Sequence, residues 1–216
     1  MESLDLRVLA DALAWQHAGH RVTLVTVVET WGSAPRPPGA LLAVRDDGVV
    51  SGAVSGGCVE DDLIARIKAG EWAVQPSMIA YGVTKEEAAR FGIPCGGSLR
   101  LVQEPLQNSQ WIEQILQRTS AHELVARQLC LRTGEVSLRR AARGEHFFFD
   151  GQTLITSFGP KWRLLLIGAG QLSQALAQMA QMLDFEVLLC APREEYVNNW
   201  QLPGVIRMAG MPDDVV

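Results

Sequence analysis

The chain has 216 residues, of which 48% are apolar, and this is enough for one large domain or two small ones with a buried core. The formal net charge of −5 argues against a nucleic-acid-binding protein, and no apolar run is long enough to cross a bilayer. The acidic start at residues 1–5 lacks the positive region of a signal peptide. We therefore expect a cytoplasmic protein with no membrane partner, in which all four cysteines are reduced.

Hydrophobic periodicity and turn residues predict alternating helices and strands along the first 158 residues. The predicted helices cover 4–18, 59–69, 85–91 and 110–118, and the predicted strands cover 21–30, 40–45, 49–54, 77–83, 98–104, 123–132, 135–142, 146–149 and 153–157. Gly159-Pro160-Lys161 forms a natural boundary after them. We expect a mixed α/β domain over 1–158.

The pattern changes over 161–216. An apolar strand at 162–167, a glycine turn, a helix at 172–183 and a strand at 186–190 predict a parallel β-α-β unit, so this part is expected to be Rossmann-like. A dinucleotide site needs two such halves, and these 56 residues supply one. Either the domain is incomplete at the C-terminus or a second copy of the chain completes it, which would make a homodimer.

The glycine turn suits a pyrophosphate group. Gly168 allows a tight turn, Gly170 lets the backbone approach the ligand, and the following helix offers its N-terminus. However, the place where an acid would hold a ribose hydroxyl is Ala191, and Arg193 after it suits an anion instead. NAD(P) binding is therefore not expected, although an NAD(P)-dependent oxidoreductase stays open as an alternative.

Two cysteines stand beside paired glycines. Ser55-Gly56-Gly57 precede Cys58 at a predicted helix start, and their N–H groups could form a nest for an anion. Cys95-Gly96-Gly97 repeats the arrangement in a second loop. Arg36 in a proline-rich loop is a third candidate, because its planar fork suits phosphate. On physical grounds alone the structural interpretation is favoured for each cysteine, because small free cysteines are usually buried hydrophobic residues.

The motifs together resemble the XdhC/CoxI family. ETWGSAPRPPGA, SGGCVEDDL, FGIPCGGSL and LLLIGAGQLSQAL occur in the family's order from about residue 20 onward. This family comprises maturation factors for xanthine dehydrogenase and related molybdenum hydroxylases, with an N-terminal α/β domain and a C-terminal Rossmann-like domain.

The resemblance implies a non-catalytic protein that binds molybdenum cofactor and delivers it, after sulfuration, to an apo molybdenum hydroxylase, with a cysteine desulfurase as partner. It implies that Cys58 and Cys95 contact the cofactor, Cys58 at the molybdenum, with the adjacent glycines and Arg36 around the phosphate. Whether the pterin carries a nucleotide stays open. So does a third function, an accessory subunit that only docks on a dehydrogenase.

The sequence departs from the family pattern at three places. Gln171 stands where the glycine turn of the family usually has a histidine, and Ala191-Pro192-Arg193 replaces Asp-Pro-Arg. Family chains also continue well beyond residue 216. The first two departures count against nucleotide binding, and the third leads us to expect a truncated chain.

Overall fold

The computed structural model describes residues 2–32, 36–82, 98–142, 144–159, 162–183, 185–191, 200 and 202–215. The chain divides into two compact units, Met1–Pro160 and Lys161–Val216. Antiparallel sheets in the first unit and a parallel sheet in the second confirm the expected mixed α/β class. No helix among the described residues is long and apolar enough to cross a membrane.

The elements of the first unit follow the predicted order. They are α1 (Glu2–His17), β1 (Val22–Trp31), β2 (Leu41–Arg45), β3 (Val50–Gly52), α2 (Cys58–Lys68), β4 (Ser77–Tyr81), β5 (Ser98–Pro105), α3 (Gln110–Ser120), β6 (Val125–Cys130), β7 (Val136–Arg140), β8 (Phe147–Phe149) and β9 (Thr153–Phe158). The helix predicted at 85–91 lies outside the described residues.

A five-stranded antiparallel sheet in the order β3-β2-β1-β5-β4 forms the centre of this unit. Strand β1 is central because its valine-rich sequence is buried on both faces over its first seven residues. One face packs against α2, where Leu63 and Ile67 join Val25 and Leu101 in a single hydrophobic cluster. The other face packs against α1, α3 and a second sheet.

The second sheet has the order β7-β6-β9-β8 and is also antiparallel. Two separate hydrophobic clusters join it to the first sheet, one containing Leu24, Val125 and Phe158, the other containing Val28, Leu129 and Leu154. Because side chains alternate along strands, the positions between these clusters share their face, and they are Thr26, Arg127 and Thr156. All three are buried, so a polar layer separates the two clusters.

An ion pair anchors this polar layer. The Arg127 Nη2 group donates to Glu104 Oε2 at 2.5 Å, and both side chains are more than nine-tenths buried. The Arg127 guanidinium also stacks on the Trp111 ring, 4.1 Å from its centroid. Within the described part of the chain, Arg127 Nε and Glu104 Oε1 have no hydrogen-bond partner. The pair is therefore only partly satisfied.

The second unit contains β10 (Arg163–Ile167), α4 (Gln171–Met182), β11 (Glu186–Cys190), β12 (Ile206–Met208) and α5 (Pro212–Val215). The three strands are parallel in the order β10-β11-β12. The sequence patterns predict the first two strands and the helix. They miss β12, because three residues are too few to show a period.

Candidate functional site

Strands β1, β4 and β5 start or end at the same end of the five-stranded sheet. Strand β1 ends at Trp31, which lies opposite Ser98 at the start of β5. Strand β4 ends at Tyr81, which lies opposite Leu99. The proline-rich loop after Trp31 and both ends of the 82–97 segment therefore leave the sheet at the same end.

The start of α2 lies at this end as well. The Tyr81 hydroxyl donates to Asp62 Oδ2 at 2.9 Å, one turn into the helix. Burial and this hydrogen bond both raise the pKa of Tyr81 far above its ordinary value, so the phenol stays protonated. Arg36 Nε donates to the Ala53 carbonyl at 3.2 Å. That bond ties the proline-rich loop to the loop that precedes Cys58.

Cys58 is the first residue of α2, and Gly57 is its N-cap. Gly57 has φ of +125°, which L side chains rarely adopt, so glycine is required there by its backbone. Among the described residues outside its chain neighbours, no atom would lie within 4 Å of a Cβ at Gly56 or Gly57. These residues therefore leave room for a ligand to approach the backbone at the positive end of the helix.

Glu60 folds back onto this loop. Its Oε1 accepts hydrogen bonds from the N–H groups of Val54 (2.9 Å) and Ser55 (2.7 Å). Its Oε2 accepts from the Gly57 N–H (3.0 Å) and from the Ser55 hydroxyl. Burial raises the pKa of Glu60, but the hydrogen bonds from Ser55 and Val54 outweigh it, so the pKa lies below its ordinary value.

The Glu60 carboxylate thus accepts hydrogen bonds from the N–H groups that the sequence suggests for a phosphate. The fit of molybdenum cofactor to this site can be judged from these contacts. A cysteine at the helix start and open space around Gly56 suit a soft metal. A phosphate bound by Ser55 and Gly57 does not suit the geometry, because Glu60 already accepts from both. Arg36 is still available to bind the phosphate, because within the described residues its guanidinium makes only one hydrogen bond, to the Ala53 carbonyl.

The other cysteines differ in what the structure describes. Cys95, Gly96 and Gly97 lie outside the described residues, so their place in the site stays a prediction. Cys130 is half-buried at the end of β6, Cys190 is buried, and both are free. The described residues contain no group of three or more histidine, cysteine or acidic side chains that could hold a metal ion.

The glycine turn of the second unit joins β10 to α4. Gly168 has a φ of +99°, so the turn requires glycine at this position. Its N–H donates to the Cys190 carbonyl at 2.8 Å. Gly170 is the N-cap of α4 in an extended conformation, and in the part of the chain that the structure describes a Cβ there would meet no atom within 4 Å. Ala191 follows β11 directly, and Arg193 is outside the described residues.

Sequence reasoning misses two residues at the first site. Glu60 resembles any acidic residue that favours the helix dipole, although its position three residues after the N-cap is the spacing of a capping box. Trp31 ends β1 with 75% of its surface exposed, and its flat ring offers a stacking surface for a planar ligand. A large apolar residue at the last position of a strand before a glycine is the signal that could have found it.

Comparison with known proteins agrees with the motifs. Residues 15–81 match the sequence profile of the XdhC and CoxI family. The molybdenum cofactor insertion chaperone PaoD of Escherichia coli is 30% identical over 183 residues, which cover 84% of this chain and 55% of PaoD. A Bacillus subtilis protein described as a probable xanthine dehydrogenase subunit is 27% identical over 92% of this chain and 67% of that protein.

A solved structure supports the fold. The crystal structure of a Bacillus halodurans protein described as a xanthine dehydrogenase superposes with a TM-score of 0.74, at 18% identity, over 96% of this chain and 69% of that one. The chain spans little more than half the length of PaoD and two thirds of the Bacillus subtilis relative. The resemblance indicated by the motifs is confirmed: residues 15–81 match the XdhC and CoxI family, and the chain is similar to PaoD and to the Bacillus subtilis protein.

Proposed function

We propose that the chain is a maturation factor that binds molybdenum cofactor and delivers it, after sulfuration, to a xanthine-dehydrogenase-type molybdenum hydroxylase. The observation that carries this proposal is the hydrogen bond from Arg36 to Ala53, because it joins the two family-type loops beside the helix that Cys58 begins. The name of PaoD, a molybdenum cofactor insertion chaperone, supports the same function.

Each residue of the site has a different role in cofactor binding, which follows from its chemistry. Cys58, the first residue of α2, provides a soft sulfur ligand for molybdenum. Arg36 provides the charge for the cofactor phosphate, Gly56 leaves the approach open, and Trp31 stacks on the pterin. Glu60 keeps the loop in place, and its negative charge keeps a phosphate away from Ser55 and Gly57. The bound cofactor supplies the redox-active metal that the receiving hydroxylase uses.

The partners in this proposal are an apo molybdenum hydroxylase, a cysteine desulfurase and a second copy of the chain. The hydroxylase and the desulfurase come from the family resemblance, as does the contribution of Cys95, Gly96 and Gly97 to the same site, whereas the second copy comes from the half-built parallel sheet. We assign this site to an XdhC/CoxI-type domain over 1–158. We assign a Rossmann-like fold to the unit at 161–216. In this proposal the unit binds an anion through Gly168, Gly170 and Arg193, and does not bind NAD(P).

The test compares two single cysteine variants. Cys130→Ser is the matched control, because the Cys130 thiol is free and the Thr133 hydrogen bond lowers its pKa. Cys130 would therefore bind a metal if any reactive thiol sufficed. Loss even of a residue that supports a metal ligand lowers affinity about 10–100-fold. We therefore expect Cys58→Ser to lose at least about tenfold in bound cofactor while it folds normally.

The measurement is the molybdenum content and pterin fluorescence of each protein purified from a molybdenum-replete host, with thermal melts to confirm folding. Wild type and Cys130→Ser should carry equal amounts of cofactor. Equal loading of wild type and Cys58→Ser would show that this thiol is not a ligand. Wild-type protein without any pterin would instead favour an accessory subunit that only docks on a dehydrogenase.

A further inference from the structure

A cavity of about 410 Å³ lies in the first unit, at the opposite end of the five-stranded sheet from the loop before Cys58. Strand β5 starts at Ser98, beside the candidate site, and ends at Glu104 and Pro105, which line the cavity. Pro76, just before β4, lines it too. Sites for small molecules have volumes of about 300–1,000 Å³, so this cavity is large enough to hold one.

The cavity lies along one edge of the space between the two sheets. Val136 and Leu138 of the edge strand β7 line it, and Leu138 lies opposite Arg127 of β6. Opposed residues of antiparallel strands share a face of the sheet, and Arg127 faces the five-stranded sheet because it bonds to Glu104. Trp111, which stacks on Arg127, also lines the cavity. The cavity is therefore next to the buried ion pair.

The Glu104 carboxylate has hydrogen-bonding capacity that the ion pair leaves unused. Its Oε2 accepts from Arg127, but its Oε1 is buried and has no hydrogen-bond partner among the described residues. Val102, two residues earlier on β5, packs with Leu129 of the second sheet, so Glu104 also points into the space between the sheets. Because a buried acceptor without a donor is costly, a ligand that donates to Oε1 gains from binding there.

The charged residues of the cavity select the ligand. Among the described residues that line it, two are charged, Glu104 and Glu135, and both are acidic. An anion would meet two carboxylates, whereas a cation is attracted by both. Trp111, Val136 and Leu138 provide apolar walls for the rest of the ligand.

We propose that this cavity binds a small organic cation of the amidinium or guanidinium class, whose N–H groups donate to Glu104 Oε1 and whose apolar body packs against Trp111 and Leu138. A planar cation of this kind presents parallel N–H groups to a carboxylate and is more weakly hydrated than an ammonium, so it enters a half-apolar cavity at less cost. The inference is independent of the proposed function, because it concerns the other end of the sheet.

Three probes of the same shape test the charge. Benzamidine is a cation, benzamide is neutral and benzoate is an anion. For benzamidine we expect a dissociation constant on the order of 1 mM, since the probe is small. Benzamide should bind about tenfold more weakly, because a hydrogen bond between charged groups is stronger than one to a neutral donor, and benzoate should not bind.

Nuclear magnetic resonance of the ¹⁵N-labelled full chain measures the binding and locates it. Benzamidine should shift the amide signal of Gly134, which lines the cavity, and the indole signal of Trp111. The amide of Gly168, in the other unit, should not shift. Shifts spread over the acidic surface without Gly134 and Trp111 would mean that the cation binds elsewhere, and this would overturn the proposal.

Two variants test the cavity itself. Gln114→Trp places a large side chain at an exposed position of α3 that lines the cavity, so benzamidine binding should fall at least about tenfold. Gln117→Trp is the matched control, because Gln117 is exposed on the same helix and does not line the cavity. In Glu104→Gln the amide oxygen can keep the bond to Arg127, which leaves an NH2 group toward the ligand. Two donors then meet, and binding should fall by a similar factor.

Thermal melts of each variant confirm folding, and Gln114→Trp keeps the test valid if Glu104→Gln does not fold. Wild-type protein that shows no shift at about 20 mM benzamidine would overturn the proposal. Benzoate or benzamide that binds as tightly as benzamidine would overturn the choice of a cation. Unchanged benzamidine binding in Gln114→Trp, or equal losses in Gln114→Trp and Gln117→Trp, would show that the cavity is not the site.

Discussion

Replacing Glu60 by glutamine tests how the loop before Cys58 is held. The substitution keeps the size of the side chain and replaces one carboxylate oxygen by an NH2 group. In wild type the carboxylate accepts four hydrogen bonds, three of them from backbone N–H groups. The amide oxygen can still accept from Val54 and Ser55, but the NH2 group would face the Gly57 N–H, where two donors repel each other.

The expected loss follows from these contacts. A hydrogen bond to a charged acceptor contributes about 1.5–3 kcal/mol, against about 0.5–1.5 kcal/mol for a neutral one, and a buried donor without a partner costs about 1–3 kcal/mol. Glu60 is 8% exposed, so solvent replaces little of what is lost. Because the loop can relax, we expect Glu60→Gln to lower the free energy of unfolding of the first unit by about 2–4 kcal/mol.

Urea unfolding followed by circular dichroism measures the effect. With a slope of about 2 kcal/mol per molar, the midpoint should fall by about 1–2 M, and the Gly57 amide should lose protection from hydrogen exchange. Asp61→Asn is the matched control, because Asp61 is exposed in the same helical turn and removing its charge should cost no more than about 1 kcal/mol. A Glu60→Gln midpoint equal to that of Asp61→Asn would refute the reasoning.

The same pair of proteins predicts a pH dependence. The hydrogen bonds hold the folded pKa of Glu60 below its unfolded value of about 4.3. The carboxylate therefore stabilises the fold fully above that pH, and its contribution is lost as pH falls through the folded pKa. The difference in stability between wild type and Glu60→Gln should shrink below about pH 4 and stay constant between about pH 6 and 8.

Two further predictions concern the buried ion pair and the glycine turn. Arg127→Met leaves the Glu104 carboxylate buried without its partner and should lower the free energy of unfolding by about 3–5 kcal/mol. The double variant with Glu104→Met should return to within about 1 kcal/mol of wild type. A double variant as unstable as the single one would contradict this. Removing both charges of the surface pair Arg118–Glu123 should cost no more than about 1 kcal/mol in the same assay. Calorimetry should detect no NAD⁺ binding tighter than about 1 mM, because Ala191 cannot accept a hydrogen bond from a ribose hydroxyl; a micromolar constant would show that the turn is a dinucleotide site.

Local patterns predict the elements of this fold well, and long-range partners poorly. The valine-rich run of β1, the Asp46-Asp47-Gly48 turn and Gly168 each follow from one short stretch, because β-branching, turn chemistry and positive φ are local properties. Nothing near Arg127 in the sequence indicates that its charge is buried, since its partner Glu104 is on another strand, 23 residues earlier. The site shows the same limit, because the glycines before Cys58 predict a nest but not which anion occupies it.

The polar layer between the two sheets also restricts how they can align. Sliding one sheet along the other by two residues would bring Arg127 against leucine or valine side chains and leave Glu104 facing an apolar group. In a misaligned packing of the two sheets, Arg127 and Glu104 are therefore each buried without an oppositely charged partner. In the native alignment the guanidinium and the carboxylate meet. A hydrophobic replacement of this pair could raise stability and still enlarge the set of misregistered states that compete during folding.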